Sequence, residues 1–159
     1  MRDGFIRTAA ATPKIKVADP VHNRETICRI IEEYEKKGAE LLVFPELCLS
    51  GYTCNDLFQQ EILLEQVKEE LKNLVDFTKG RKMLLFAGLP WEHEGKLYNA
   101  AAAISGGRIL GLVPKKNLPN YSEFYELRHF CPGQETVRWI KIDGERVPFG
   151  MNLLFSCED

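Results

Sequence analysis

The chain has 159 residues, 45% hydrophobic and 28% charged, which suits one globular core and is short for two domains. Its 21 basic and 23 acidic residues leave a formal charge of -2, so neither a nucleic-acid partner nor a membrane surface is indicated. No stretch reaches signal-peptide length or the roughly 20 apolar residues of a membrane span, and a soluble protein is expected.

In chain order, "GFIRTAAAT" (4–12) reads as a buried strand early in the sheet, ended by Pro13, which lacks the N–H a ladder needs. From Pro20 to Lys37, the residues Ile27, Ile30, Ile31 and Tyr34 fall at offsets 0, 3, 4 and 7, and Gly38 follows as a stop. That spacing predicts an amphipathic helix. "AELLVF" (39–44) is a continuous apolar run, the pattern of a strand covered on both faces, and strand, helix and strand make a βαβ unit. A second helix is predicted from about Asp56 to Thr78 on the stripe Leu64, Val67, Leu71, Leu74 and Val75, closed by Gly80.

"KMLLFAGLP" (82–90) is another buried strand, and "KLYNAAAAIS" and "RILGLVPK" then flank Gly106 and Gly107 as an antiparallel hairpin. "ETVRWIKI", the turn at Asp143 and Gly144, and a short strand near "ERVPF" complete a mixed sheet with both helices early. No repeat or low-complexity linker breaks the chain, so residues 1–159 are taken as belonging to one domain.

Two stretches carry chemistry. In "LLVFPELCLSGYTCNDLF" (41–58) a buried strand runs into Pro45 and then Glu46, and the carboxyl ends of sheet strands are where α/β proteins place active-site groups. Desolvation there suits a carboxylate to act as a base near neutrality; a strand-end acid that pairs with a lysine or caps the next turn is the other reading. In "GLVPKKNLPNYSEFYELRHF" (111–130), Lys115 follows a strand 69 residues after Glu46, placed either to steady an oxyanion or simply on the surface. Tyr121, Phe124 and Tyr125 read as pocket lining or, more simply, as core aromatics.

Cys28, Cys48, Cys54, Cys131 and Cys157 are scattered and form no CxxC pair, which argues against a disulfide framework or zinc site and for a reducing, cytoplasmic setting. Cys48 and Cys54 read as small buried fillers. His129 has no orienting Asn or Asp at a recognisable spacing and reads as a structural histidine.

Together, "FPE", the lysine of "KKNLP" and a cysteine after a later strand resemble the pattern of the nitrilase, or carbon–nitrogen hydrolase, superfamily. Within it, "FPELCLSGYTCNDLF", "GLPWEHEGKLYNAAAAISGGRILGLVPK", "KKNLPNYSEFYE" and "VPFGMNLLF" are similar, in that order, to segments of the amino-terminal glutaminase domains of glutamine-dependent NAD synthetases. The resemblance implies an α-β-β-α sandwich with a mixed sheet, incomplete in this chain, and a parent enzyme whose synthetase domain is absent here. The roles it implies are Glu46 as general base, Lys115 as catalytic lysine, Tyr121 and Tyr52 as lining of the glutamine pocket or the ammonia route, and Glu126 as a supporting acid. It implies glutamine as substrate, deamido-NAD and ATP as substrates of the parent, and a homo-oligomer. No metal or cofactor is expected in this chain; ATP and Mg2+ would belong to the synthetase domain. The rival readings are a free-standing amidase of the same superfamily and a non-catalytic binding or scaffold domain.

"ISGGRI" (104–109) is similar to the glycine-rich pyrophosphate loop of a synthetase but lacks the following Asp-Ser and reads as a hairpin turn. Cys157 stands in "CED", which matches the superfamily's nucleophile triplet. The segment before it, however, resembles the one that precedes the nucleophile strand, and only two residues follow it. The nucleophile is therefore expected beyond Asp159, with Cys157 as the lesser candidate and the chain alone inactive.

Overall fold

Asp19 begins the first helix: its carboxylate accepts the His22 N–H at 3.0 Å, and Pro20 fills the first turn, where no N–H is needed. The computed structural model, which describes residues 4–156, continues from such local signals. The elements are β1 (Thr8–Ala10), α1 (Pro20–Lys36), β2 (Leu41–Val43), a 3-10 stretch (Tyr52–Gln59), α2 (Glu61–Phe77), β3 (Leu84–His93), β4 (Lys96–Ser105), β5 (Arg108–Pro114), α3 (Glu126–His129), β6 (Arg138–Ile142) and β7 (Glu145–Phe149).

The strands form one mixed sheet in the order β1-β2-β3-β4-β5-β7-β6. β1, β2 and β3 run parallel, β3, β4 and β5 form an antiparallel meander, and β7 joins β5 in parallel through Leu112 and Phe149. The expected turns at Gly106–Gly107 and Asp143–Gly144 both form, every residue of them at positive φ as two-residue hairpins require. A third such turn, Glu94–Gly95, joins β3 to β4 and was not foreseen.

One face of the sheet carries Leu42, Leu85, Leu89, Ala102, Ile104 and Leu112, each 3% exposed or less, beneath the helices. α2 rests on β3 and β5, and α1 rests on α2. Alternation puts Val43 and Phe86 on the opposite face, where Val43 is 38% exposed. The described residues thus supply one sheet and one helical layer of the expected four-layer sandwich.

Several expectations need correction. β1 is three residues at the sheet edge, not a buried strand over 4–12, and its outward positions are exposed. β2 is covered on one face only, because helices pack on that face alone. The second helix starts at Glu61 rather than near Asp56, because the chain runs as a 3-10 stretch to Gln59 and Gln60 is extended; of the expected stripe Val67, Leu71 and Leu74 are buried, with Leu63 in place of Leu64. β3 runs past Pro90 to His93. Its pairing with β2 stops at Phe86, so the missing proline N–H faces no strand on that side. β6 begins at Arg138 rather than Glu135.

No helix among the described residues is long and apolar enough to cross a membrane.

Candidate active site

β2 and β5 are separated in the sheet by β3 and β4, so groups at their ends meet only if a loop spans the gap. Residues 44–49 do so. Phe44 N–H donates to Phe86 O at 2.8 Å, Leu49 N–H donates to Gly88 O at 3.1 Å, and the turn between them lies directly on β3. A Cβ at Gly88 would stand 2.3 Å from Leu47 N and 2.6 Å from Pro45 O, so only glycine permits this approach. Leu47, fully buried, takes φ 51°, an uncommon conformation for a leucine, immediately after the acid.

The crossing delivers Glu46 to β4, where the Asn99 side-chain amide donates to its Oε1. Lys115 is the first residue after β5. Its N–H donates to Asn99 O and its carbonyl accepts the Gly133 N–H, both at 2.8 Å. From that anchored backbone Nζ reaches Glu46 Oε1 at 2.7 Å and both oxygens of Glu126 at 2.9 Å. Glu126, 4% exposed on α3, also accepts the Tyr52 hydroxyl at 2.8 Å. Tyr52, Glu126, Lys115, Glu46 and Asn99 thus form one continuous network.

Two carboxylates surround one ammonium. Burial draws the Lys115 pKa down, but hydrogen bonds to Glu46 and Glu126 outweigh it and hold the value above that of a free lysine. The Tyr52 hydroxyl is pushed up, first by burial and then by donating to the Glu126 carboxylate. Both groups therefore act as donors at neutral pH. Both Glu126 oxygens are engaged, and Glu46 Oε1 takes two donors. Glu46 Oε2 has no hydrogen-bond partner among the described residues, which makes it the carboxylate oxygen open to a reacting proton.

Glu46, Asn99 and Lys115 edge an open cavity of about 460 Å³ on the helix-free face, floored by Val43, Phe86, Ala101 and Val113, while Tyr52 and Glu126 line a smaller one of about 120 Å³. A groove of about 470 Å³ between α2 and the β6–β7 hairpin holds none of them. Size does not separate the two; the convergence of acid, lysine and amide picks out the first.

Glu46, Lys115, Glu126 and Tyr52 are therefore brought together. Tyr121 is not part of the network: its ring is 68% exposed and packs edge-to-face on Phe124 at 5.6 Å. Tyr121 and Tyr125, the latter 65% exposed, are not the core aromatics expected, because the segment between Lys115 and α3 runs over the surface. Cys157 lies outside the described residues. Cys48 and Cys54 are buried fillers as expected. The Cys48 thiol points at Gly88 O, and burial pushes it up to about 12. His129 packs on Phe58 at 5.7 Å, its pKa lowered by burial. No group of three or more His, Cys, Asp or Glu side chains among the described residues is arranged to hold a metal ion.

The residue that sequence reasoning missed is Asn99. Its one signal was a lone amide in the otherwise apolar run "YNAAAAI".

A family model described as carbon-nitrogen hydrolase matches residues 7–153. A glutamine-dependent NAD(+) synthetase of Mycobacterium tuberculosis (strain ATCC 25618 / H37Rv) is 40% identical over 156 residues, covering 98% of this chain and 23% of that protein. One of Aquifex aeolicus (strain VF5) is 38% identical over 143 residues, covering 90% of this chain and 24% of that protein. Among solved structures, a glutamine-dependent NAD(+) synthetase from Cytophaga hutchinsonii superposes with a TM-score of 0.90 at 27% identity, over 96% of this chain and 26% of that one. An amidase from Nesterenkonia sp., 22% identical with a TM-score of 0.70 over 93% of this chain and 56% of that one, shares the fold. The chain spans about a quarter of the length of the mycobacterial and Aquifex synthetases.

Proposed function

This chain belongs to the carbon–nitrogen hydrolase family, and from that membership we propose that it forms part of the glutamine-hydrolysing domain of a glutamine-dependent NAD+ synthetase. The observation that carries the reading is the Lys115 ammonium held between the Glu46 and Glu126 carboxylates at the edge of the open cavity. That arrangement supplies a fixed cation for a developing oxyanion and, in Glu46 Oε2, an acceptor for a nucleophile's proton. The relatives that align with nearly the whole chain supply the substrate.

In this mechanism Glu46 takes the proton of a cysteine thiol, and the thiolate attacks the side-chain amide carbon of glutamine. Lys115 donates to the resulting oxyanion, while Glu126, itself bonded by the Tyr52 hydroxyl, holds its side chain in place. The C–N bond breaks, the nitrogen takes the proton from Glu46 and leaves as ammonia, and water then releases glutamate from the thioester. The nucleophile is a cysteine beyond Asp159 in the gene product; the two buried thiols nearest Glu46 in sequence, Cys48 and Cys54, are 1% and 2% exposed and unsuited to attack. Tyr121 and Tyr52 flank the path of glutamine or of departing ammonia. Deamido-NAD, ATP and Mg2+ serve a separate synthetase domain of a cytoplasmic homo-oligomer.

The test uses the full-length gene product. Glu46→Gln and Lys115→Ala should each cut ammonia release from glutamine by about a hundredfold or more with folding intact; near-normal turnover in either overturns the roles. The electrophile 6-diazo-5-oxo-L-norleucine should label a cysteine beyond Asp159, and labelling lost with Cys157→Ala would move the nucleophile into this chain. Failure of amide-15N from glutamine to enter NAD would leave only a free-standing amidase.

A further inference from the structure

Asn99 contacts the proposed base and takes no part in the proton transfers assigned to Glu46 and Lys115. It sits on β4 with β3 on one side and β5 on the other, 3% exposed, followed by four alanines. A buried side-chain amide without a partner is destabilising, and this one donates to Glu46. Its main chain does a second job, because Asn99 O accepts the Lys115 N–H. One residue of a central strand therefore ties down both the acid and the lysine.

We propose that Asn99 is a positioning residue that fixes which oxygen of Glu46 takes the proton. The proposal rests on the reading of Glu46 as the base. The same network displays the alternative: Glu126 presents both of its oxygens to Lys115 Nζ, at 2.9 Å each. Glu46 presents one, and that oxygen also receives the Asn99 amide. Without the amide, a rotation of the Glu46 carboxyl lets it grip Lys115 with both oxygens as Glu126 does, and the free acceptor is lost.

The donor is also neutral. The groups that face Glu46 are Lys115 directly and, through Lys115, Glu126 and Tyr52. A second cation at position 99 would make the base less basic, whereas an amide orients it without adding charge.

The test compares Asn99→Ala and the isosteric Asn99→Asp in the full-length protein. In Asn99→Ala, kcat for glutamine should fall about tenfold or more with KM within about twofold. In Asn99→Asp, which keeps the shape and sets a carboxylate against Glu46, the acid limb of the pH profile should move up by about one unit or more. A residue that only fills space lowers stability and leaves the limb where it was. Unchanged kcat in Asn99→Ala, an unmoved limb in Asn99→Asp, or a loss carried wholly by KM overturns the proposal. If Asn99→Ala fails to fold, Asn99→Asp decides alone. If the unsubstituted protein releases no ammonia from glutamine, the reading of the reaction falls, and Asn99 is judged by infrared titration. There, the difference between each protein and its Glu46→Gln counterpart follows the Glu46 carboxyl directly. A midpoint that Asn99→Asp leaves unmoved overturns the proposal there too.

Discussion

Gly88→Ala tests the crossing of β3, the feature on which the position of the acid depends. The added Cβ would sit 2.3 Å from Leu47 N, 2.6 Å from Pro45 O and 2.8 Å from the Glu46 carbonyl carbon, where ordinary contact begins near 3.4 Å. All three atoms are main chain, so no side chain can swing aside; the turn must lift by about 1 Å or β3 must sink by as much. Overpacking of this kind costs about 1–3 kcal/mol, and a displacement of about 1 Å in a catalytic group costs on the order of a hundredfold in rate. In the full-length protein, Gly88→Ala should therefore keep its circular dichroism, melt several degrees lower and lose about a hundredfold in kcat with KM little changed. Turnover within about threefold of the unsubstituted protein would show that the Glu46 turn does not depend on contact with β3, and would refute the reasoning.

Two further outcomes follow from the charges and the burial. Lys115 has a folded-state pKa above the free value of 10.5, so the stability it contributes is fully present below that value and lost as pH rises through the folded one. Lys115→Met should lower the melting temperature across roughly pH 6–9, with the gap to the unsubstituted protein narrowing above pH 10.5; a gap that widens there would contradict the sign. The Cys48 thiol, 1% exposed and raised to about 12, should resist iodoacetamide in the native protein at about pH 8, and peptide mapping that finds it alkylated as fast as in denaturant would contradict its burial.

The acid and the lysine were legible because each is a charged residue set directly after a proline that ends an apolar run, at Pro45–Glu46 and Pro114–Lys115. Their meeting was not legible. It depends on a loop that crosses a strand, and the residue that permits it, Gly88, reads in sequence as one more small residue in "FAGLP". Asn99 was hidden for a similar reason: alternation tolerates a polar residue facing outward, and only the sheet order shows that this outward face meets Glu46. Continuous apolar runs located β2 and β3 but overstated the cover of β2, since such a run records what a strand can bury and not which layer lies over it. The late start of α2 turned on the 3-10 stretch through Gln59 and the extended backbone of Gln60, which the hydrophobic stripe does not encode.

The anchoring of Lys115 has a consequence in time as well as in space. Its amide hydrogen is held by a carbonyl of β4 and its own carbonyl by the Gly133 N–H, so the lysine cannot leave its place without breaking two main-chain hydrogen bonds at the end of the β4–β5 ladder. Amide hydrogen exchange at Lys115 should therefore be slower than in the exposed segment that follows it. Tyr121, on an exposed stretch without strand partners, answers to local fluctuation. The acid–lysine pair is thus tied to the sheet by main-chain bonds, while the stretch nearest solvent is free to rearrange many times before those bonds open.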